Sequence, residues 1–135
     1  DVADYLEEAA FLLTLVSTDR RPAPWFEPVQ DLAGLLVQAV QEFVKCLKVA
    51  ESIHRGSSHD DMKDFLEAVA RVSAIEHQAD DANRVVVRTI VRETTDARDL
   101  YLFTEIARVL EEASDALNRG VFILRDHILE EVMAA

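Results

Sequence analysis

Only three prolines and three glycines interrupt the 135 residues of this chain. All three prolines (Pro22, Pro24 and Pro28) fall in one short stretch, and two of the glycines, Gly34 and Gly120, lie inside periodic segments. Punctuation this sparse permits few turns and demands long elements. No alternating apolar and polar run followed by a turn signal offers a strand, so the expected class is all-α. Half of the residues are hydrophobic, enough for one domain to bury a core without disulfides or a structural metal. The single cysteine, Cys46, excludes a disulfide framework and a thiol-rich zinc site.

Apolar periodicity divides the chain. Val2, Leu6, Ala9, Leu13 and Val16 recur at helical spacing up to about Ser17, and Phe11 and Leu15 add a second apolar side. This first helix is expected to be buried on more than one face. The stretch STDRRPAPWFEP cannot be helical through its prolines; residues 18–28 are expected to form a crossover loop anchored by Trp25 and Phe26. A second helix is predicted from about Val29 to Arg55, a third from about Asp60 to Glu93 after the GSSHDD turn, and a fourth from about Asp96 to Val132, with Thr95 as N-cap. At 1.5 Å per residue the last three would be ~40–55 Å long. Short links make them antiparallel neighbours. The expected architecture is an elongated antiparallel bundle, a preceding helix (1–17) followed by a three-helix bundle (29–135).

Fourteen Lys and Arg against 26 Asp and Glu give a net charge of −12. Such a chain repels phosphate backbones and anionic lipid surfaces, which argues against nucleic-acid and direct membrane binding. No apolar run approaches the ~18 residues of a membrane span, and no secretory signal is visible; a cytoplasmic location is the expectation. The acid excess favours a positively charged partner, such as a metal ion or a basic protein patch, or serves only solubility.

The positions of the acids are more informative than their number. On the third helix Met62, Phe65, Leu66, Val69, Val72, Val86, Val87 and Ile90 form the apolar arc, and Glu76, Asp80 and Asn83 fall inside it. An unpaired buried charge costs several kcal/mol, so each of these carboxyls must be protonated, paired or metal-bound. At i, i+4 both can reach one cation. The fourth helix repeats the spacing with Glu111 and Asp115, at the edge of its main apolar arc and close to a second stripe that includes Ser114 and Asn118. Asp4 and Glu8 share a stripe on the first helix, with Asp1 before them, and Glu42 sits at the margin of the apolar arc of the second. The alternative to metal ligation is a set of interhelical salt bridges to Arg84, Arg88, Arg108 or Arg119.

The remaining chemistry-bearing residues give weaker signals. Glu51 and His54 have the E-x-x-H spacing of di-iron carboxylate bundles, but those need two such motifs and one is present, so His54 reads as structural. His59, His77 and His127 read as solvated, with His77 on the polar arc. Cys46 lies on an apolar stripe and reads as core. No nucleophile elbow, P-loop or dinucleotide loop occurs.

AIEHQADDANR followed by VLEEASDAL on two long helices resembles the PhoU-like family, and within it the DUF47 group associated with Pit-type phosphate transporters. DVADYLEEAAFLL is similar to a segment of that family usually preceded by another acid. The resemblance spans essentially the whole chain. It implies two similar three-helix bundles whose E/D-x-x-x-D motifs bind iron or zinc, often as small clusters. Glu76 with Asp80 and Glu111 with Asp115 would be the ligands of the second bundle. Asp4 would be the last acid of an earlier motif. The chain would then be the C-terminal portion of a longer protein, with its first helix the last of a missing N-terminal bundle.

The same resemblance implies a non-enzymatic regulatory or accessory role in inorganic phosphate uptake. The protein would act through contact with a transporter or signalling protein at the inner membrane, with a homo-oligomer as a further expectation. Two alternatives remain at this point. One is a carboxylate-bridged metal enzyme of ferritin-like type; the other is a structural helical adaptor whose core acids are held by arginine.

Overall fold

The computed structural model describes residues 2–17 and 24–134. Four helices account for the structure: α1 (Val2–Thr14), α2 (Phe26–Ser52), α3 (His59–Glu93) and α4 (Ala97–Met133). No strand occurs among the described residues, and the all-α expectation holds. α2, α3 and α4 all touch one another, whereas among the described helices α1 packs on α4 alone. Glu42 of α2 reaches Arg71 of α3. Asn83 of α3 bonds Glu111 of α4. Trp25 at the start of α2 stacks on Phe103 near the start of α4. These pairings set α3 antiparallel to both neighbours and α2 parallel to α4.

The ends of the helices follow from local chemistry. α3 opens with a capping box: Ser58 Oγ accepts from the Asp61 amide, and the Asp61 carboxylate accepts from the Ser58 amide, both at 3.1 Å. The residue that caps α4 is Asp96, not Thr95; its Oδ1 accepts from the amides of Arg98 and Asp99. Gly56, with φ +92°, makes the turn after α2 in a region other residues avoid.

The prolines restrict less of the chain than expected. α2 begins at Phe26, three residues before the sequence-based start, so Pro28 lies within its first turn. A first-turn residue has no intrahelical acceptor for its N–H, and a proline there forfeits nothing. The crossover is correspondingly shorter; residues 18–23, with Pro22, lie outside the described residues. Trp25 is the anchor, 2% exposed, its ring centroid 4.2 Å from that of Phe103. Phe26 is not one, being exposed.

α1 also differs from expectation. Val2, Tyr5, Ala9, Leu12 and Val16 face the core at 3-4-3-4 spacing, but Leu6, Phe11, Leu13 and Leu15 are exposed. It is buried on one face because α4 is its single neighbour among the described helices.

The core falls into two clusters along the bundle. One joins α1 and the Trp25 end of α2 to Ala79, Val86, Ile106, Leu110, Ala113 and Leu117. The other gathers Cys46, Phe65, Val69, Val72 and Val121. Cys46 is a fully buried core thiol, as expected, and burial raises its pKa. Phe65 is fully buried. Phe65→Ala should therefore cost ~3–5 kcal/mol, whereas truncating the exposed Phe11 should cost no more than ~0.5 kcal/mol. Urea denaturation of the two variants measures the difference.

Candidate metal centre

The change from one core cluster to the other is occupied by polar side chains. Along α3, Val72 belongs to one cluster and Ala79 to the other, and Glu76 lies between them. Glu76 is buried, 8% exposed, as is Asn83. Asp80, Glu111 and Asp115 are half-buried. All four carboxylates predicted from the two E/D-x-x-x-D spacings thus share the α3–α4 seam. Residues 111, 114, 115 and 118 form one side of it because they recur at i, i+3, i+4 and i+7 on α4. The edge-of-arc position of Glu111 and Asp115 is the flank that α4 turns toward α3.

The electrostatics reflect this crowding. Desolvation raises the Glu76 carboxyl above the ordinary range, and the neighbouring Asp80 charge raises it further; His77 opposes this. The Glu111 carboxyl is raised by desolvation, then by the charges of Asp115 and Asp80, against a hydrogen bond from Asn83 Nδ2 at 3.1 Å. Asp115 is raised by desolvation and by Asp80, and the more distant Arg119 partly offsets the rise. Each acid therefore feels at least one of the others.

Among the described residues no arginine forms an ion pair with these acids. Arg84 pairs with Asp81 at 3.6 Å and Arg108 with Glu105 at 3.1 Å. Among the described residues the one ion pair made by the four acids is Glu76 to His77 Nδ1, at 3.2 Å. The adaptor alternative predicts an arginine against Glu76 and Asp80; among the described residues Glu76 pairs with His77 instead.

Glu76, His77 and Asp80 each offer a ligand atom within 4.8 Å of the others. His77 is a member the sequence did not reveal. Its side chain is exposed, as its place on the polar arc implied, yet the ring folds back over the adjacent Glu76. On the same faces of α3 and α4, Asn83 Oδ1, Ser114 Oγ and Asn118 Oδ1 are buried without a partner among the described residues, as is Trp25 Nε1 at the start of α2. Buried acceptors are normally satisfied, and the waters around a bound cation are donors. Carboxylates, one imidazole and orphaned acceptors make a donor set that fits a hard or borderline cation such as iron, manganese or zinc. His77 also lines a groove with Ala70, Ser73, Ala74 and Phe122.

The secondary candidates lie elsewhere. Glu42 is an ion-pair residue, taking Lys45 at 2.8 Å and Arg71 at 3.4 Å, and these cations lower its pKa. Asp4 and Glu8 are exposed, Glu8 acting on Arg108; Asp1 lies outside the described residues. The E-x-x-H spacing forms no helical pair: α2 ends at Ser52, and both Glu51 and His54 are exposed. His54 Nδ1 lies instead 3.1 Å from the Arg55 carbonyl oxygen. The ferritin-like alternative thereby loses His54 as a ligand, and His77 is the histidine beside the acids.

No family model, curated protein or solved structure matches this chain.

The raised carboxyls set a pH dependence. Each binds protons more tightly folded than unfolded, so between the ordinary carboxylate range and the raised values the folded state holds more protons. Stability of the metal-free protein from this source is full at the acid side and is lost as pH rises through the raised pKa values. Thermal unfolding in chelator should give a midpoint that falls from pH 5 to pH 7, and Glu76→Gln should flatten the slope.

Proposed function

We propose that this chain is a non-enzymatic metal-binding module, with Glu76, Asp80, Glu111 and Asp115 as carboxylate ligands and His77 as a fifth donor at the rim. The observation that carries the proposal is the buried Glu76, which shares its site with Asp80 and His77 and has no arginine or lysine in ion-pair contact among the described residues. A carboxylate in that position needs a proton or a cation, and a multivalent cation neutralises several acids at once. Binding would cross-link α3 to α4 where the two core clusters meet, so metal occupancy and bundle rigidity become one variable.

The biological setting is proposed from the resemblance of EHQAD and VLEEASDAL to PhoU-like and DUF47 proteins. On that basis the module serves inorganic phosphate uptake as a regulatory or accessory protein, with iron or zinc as its metal. It would reach a transporter or signalling protein at the membrane from the cytoplasmic side. In support, no described helix is long and apolar enough to cross a membrane, and the acidic surface disfavours direct lipid contact.

Elemental analysis of protein purified without chelator tests the site. Near-stoichiometric metal is expected in the parent and loss of it in Glu76→Gln combined with Asp80→Asn. The metal-free double variant should be as stable as the parent or more so at pH 7, because it loses like-charge repulsion. A destabilisation of ~3–5 kcal/mol would instead mark a broken buried ion pair.

A further inference from the structure

Val37, Val40, Val44 and Leu47 of α2 are exposed and recur at 3-4-3 spacing. Phe26 and Ala33 extend the row toward the start of the helix, at the same heptad position as Val40 and Leu47. The row lies about a quarter-turn around α2 from the stripe that faces α3 and α4, where Leu32, Leu36, Ala39 and Cys46 are buried. A 3-4 row is the seam of two helices packed at a shallow angle. Among the described helices none takes that place: α2 touches α3 and α4.

We propose that this face is a homodimer seam, on which α2 of a second copy packs antiparallel about a two-fold axis. A two-fold interface must be self-complementary, and the row is so in one register. With Val37 opposite Val40 of the second copy, Ala33 meets Val44. Glu27 and Lys48, which flank the same edge of the row, come opposite one another twice. Neither has an ion-pair partner among the described residues. The axis then passes near the midpoint of α2 (Phe26–Ser52), so the two helices overlap along nearly their full length, ~40 Å.

Gly34, on the same flank, supports close approach. A Cβ there would meet nothing within 4 Å, so the monomer's own packing does not call for a glycine, which costs ~1 kcal/mol inside a helix. It removes bulk beside the axis, where the second helix would lie nearest. The acid seam faces α3 and α4 rather than this edge of α2, so the dimer does not depend on metal binding.

Sedimentation velocity across a concentration series tests the seam on the metal-free chain. A dimer is expected. Val37→Lys, at an exposed position that leaves the fold intact, places two lysines at the axis and should weaken association at least ~10-fold. Glu27→Lys should weaken it ~5–10-fold by turning two attractions into repulsions, and adding Lys48→Glu should restore it to within ~3-fold. A monomer at every concentration overturns the proposal and leaves the face to a different protein. A dimer indifferent to Val37→Lys, or a Glu27→Lys defect that Lys48→Glu does not repair, overturns it equally.

Discussion

Carboxylates that face one another across a helix–helix contact are a strong constraint on this fold. With ligand atoms of Glu76 and Asp80 within 4.8 Å, two full charges would repel by ~3–4 kcal/mol at an effective dielectric constant near 20. Asp115 and Glu111 add to the same field. The metal-free chain meets this load by holding protons above their ordinary range, by the contact of Glu76 with His77 and by the hydrogen bond from Asn83 to Glu111. It sustains the arrangement because two apolar clusters, one on each side along the bundle, hold α3 and α4 together. The site is thus a charged belt clamped between two hydrophobic halves, and what neutralises the belt decides how tightly the halves are joined.

Long uninterrupted helices make such a belt cheap to build. Every proposed ligand position comes from a regular i, i+3, i+4 spacing on one of two helices, with no loop involved. Rigid elements hold side chains in place better than loops do, and α3 and α4 are 35 and 37 residues long, with the site near the middle of each. Fraying at the termini does not reach it.

Much of this was legible in the residues. The all-α class and the four helices follow from periodicity and punctuation, and Glu76 and Asp80 stood out because they interrupt an apolar arc. What escaped has specific causes. Periodicity locates faces but not neighbours, so an apolar second side on α1 reads as burial although only α4 is there to cover it. Proline signals a break, but at the third residue of a helix it breaks nothing, which moved the start of α2 to Phe26. His77 was hidden because a polar-arc position says where Cβ points, not where a ring can fold. Burial of Glu111 and Asp115 depended on which flank of α4 meets α3, a tertiary fact.

The most direct measurement is anomalous diffraction at the absorption edge of the metal carried by the purified protein. The account predicts a peak between the carboxylates of Glu76 and Asp80, within ~2.0–2.5 Å of an oxygen of each, with Glu111 or Asp115 completing the shell from α4. A peak elsewhere, or a metal-loaded crystal with none at this seam, would contradict it.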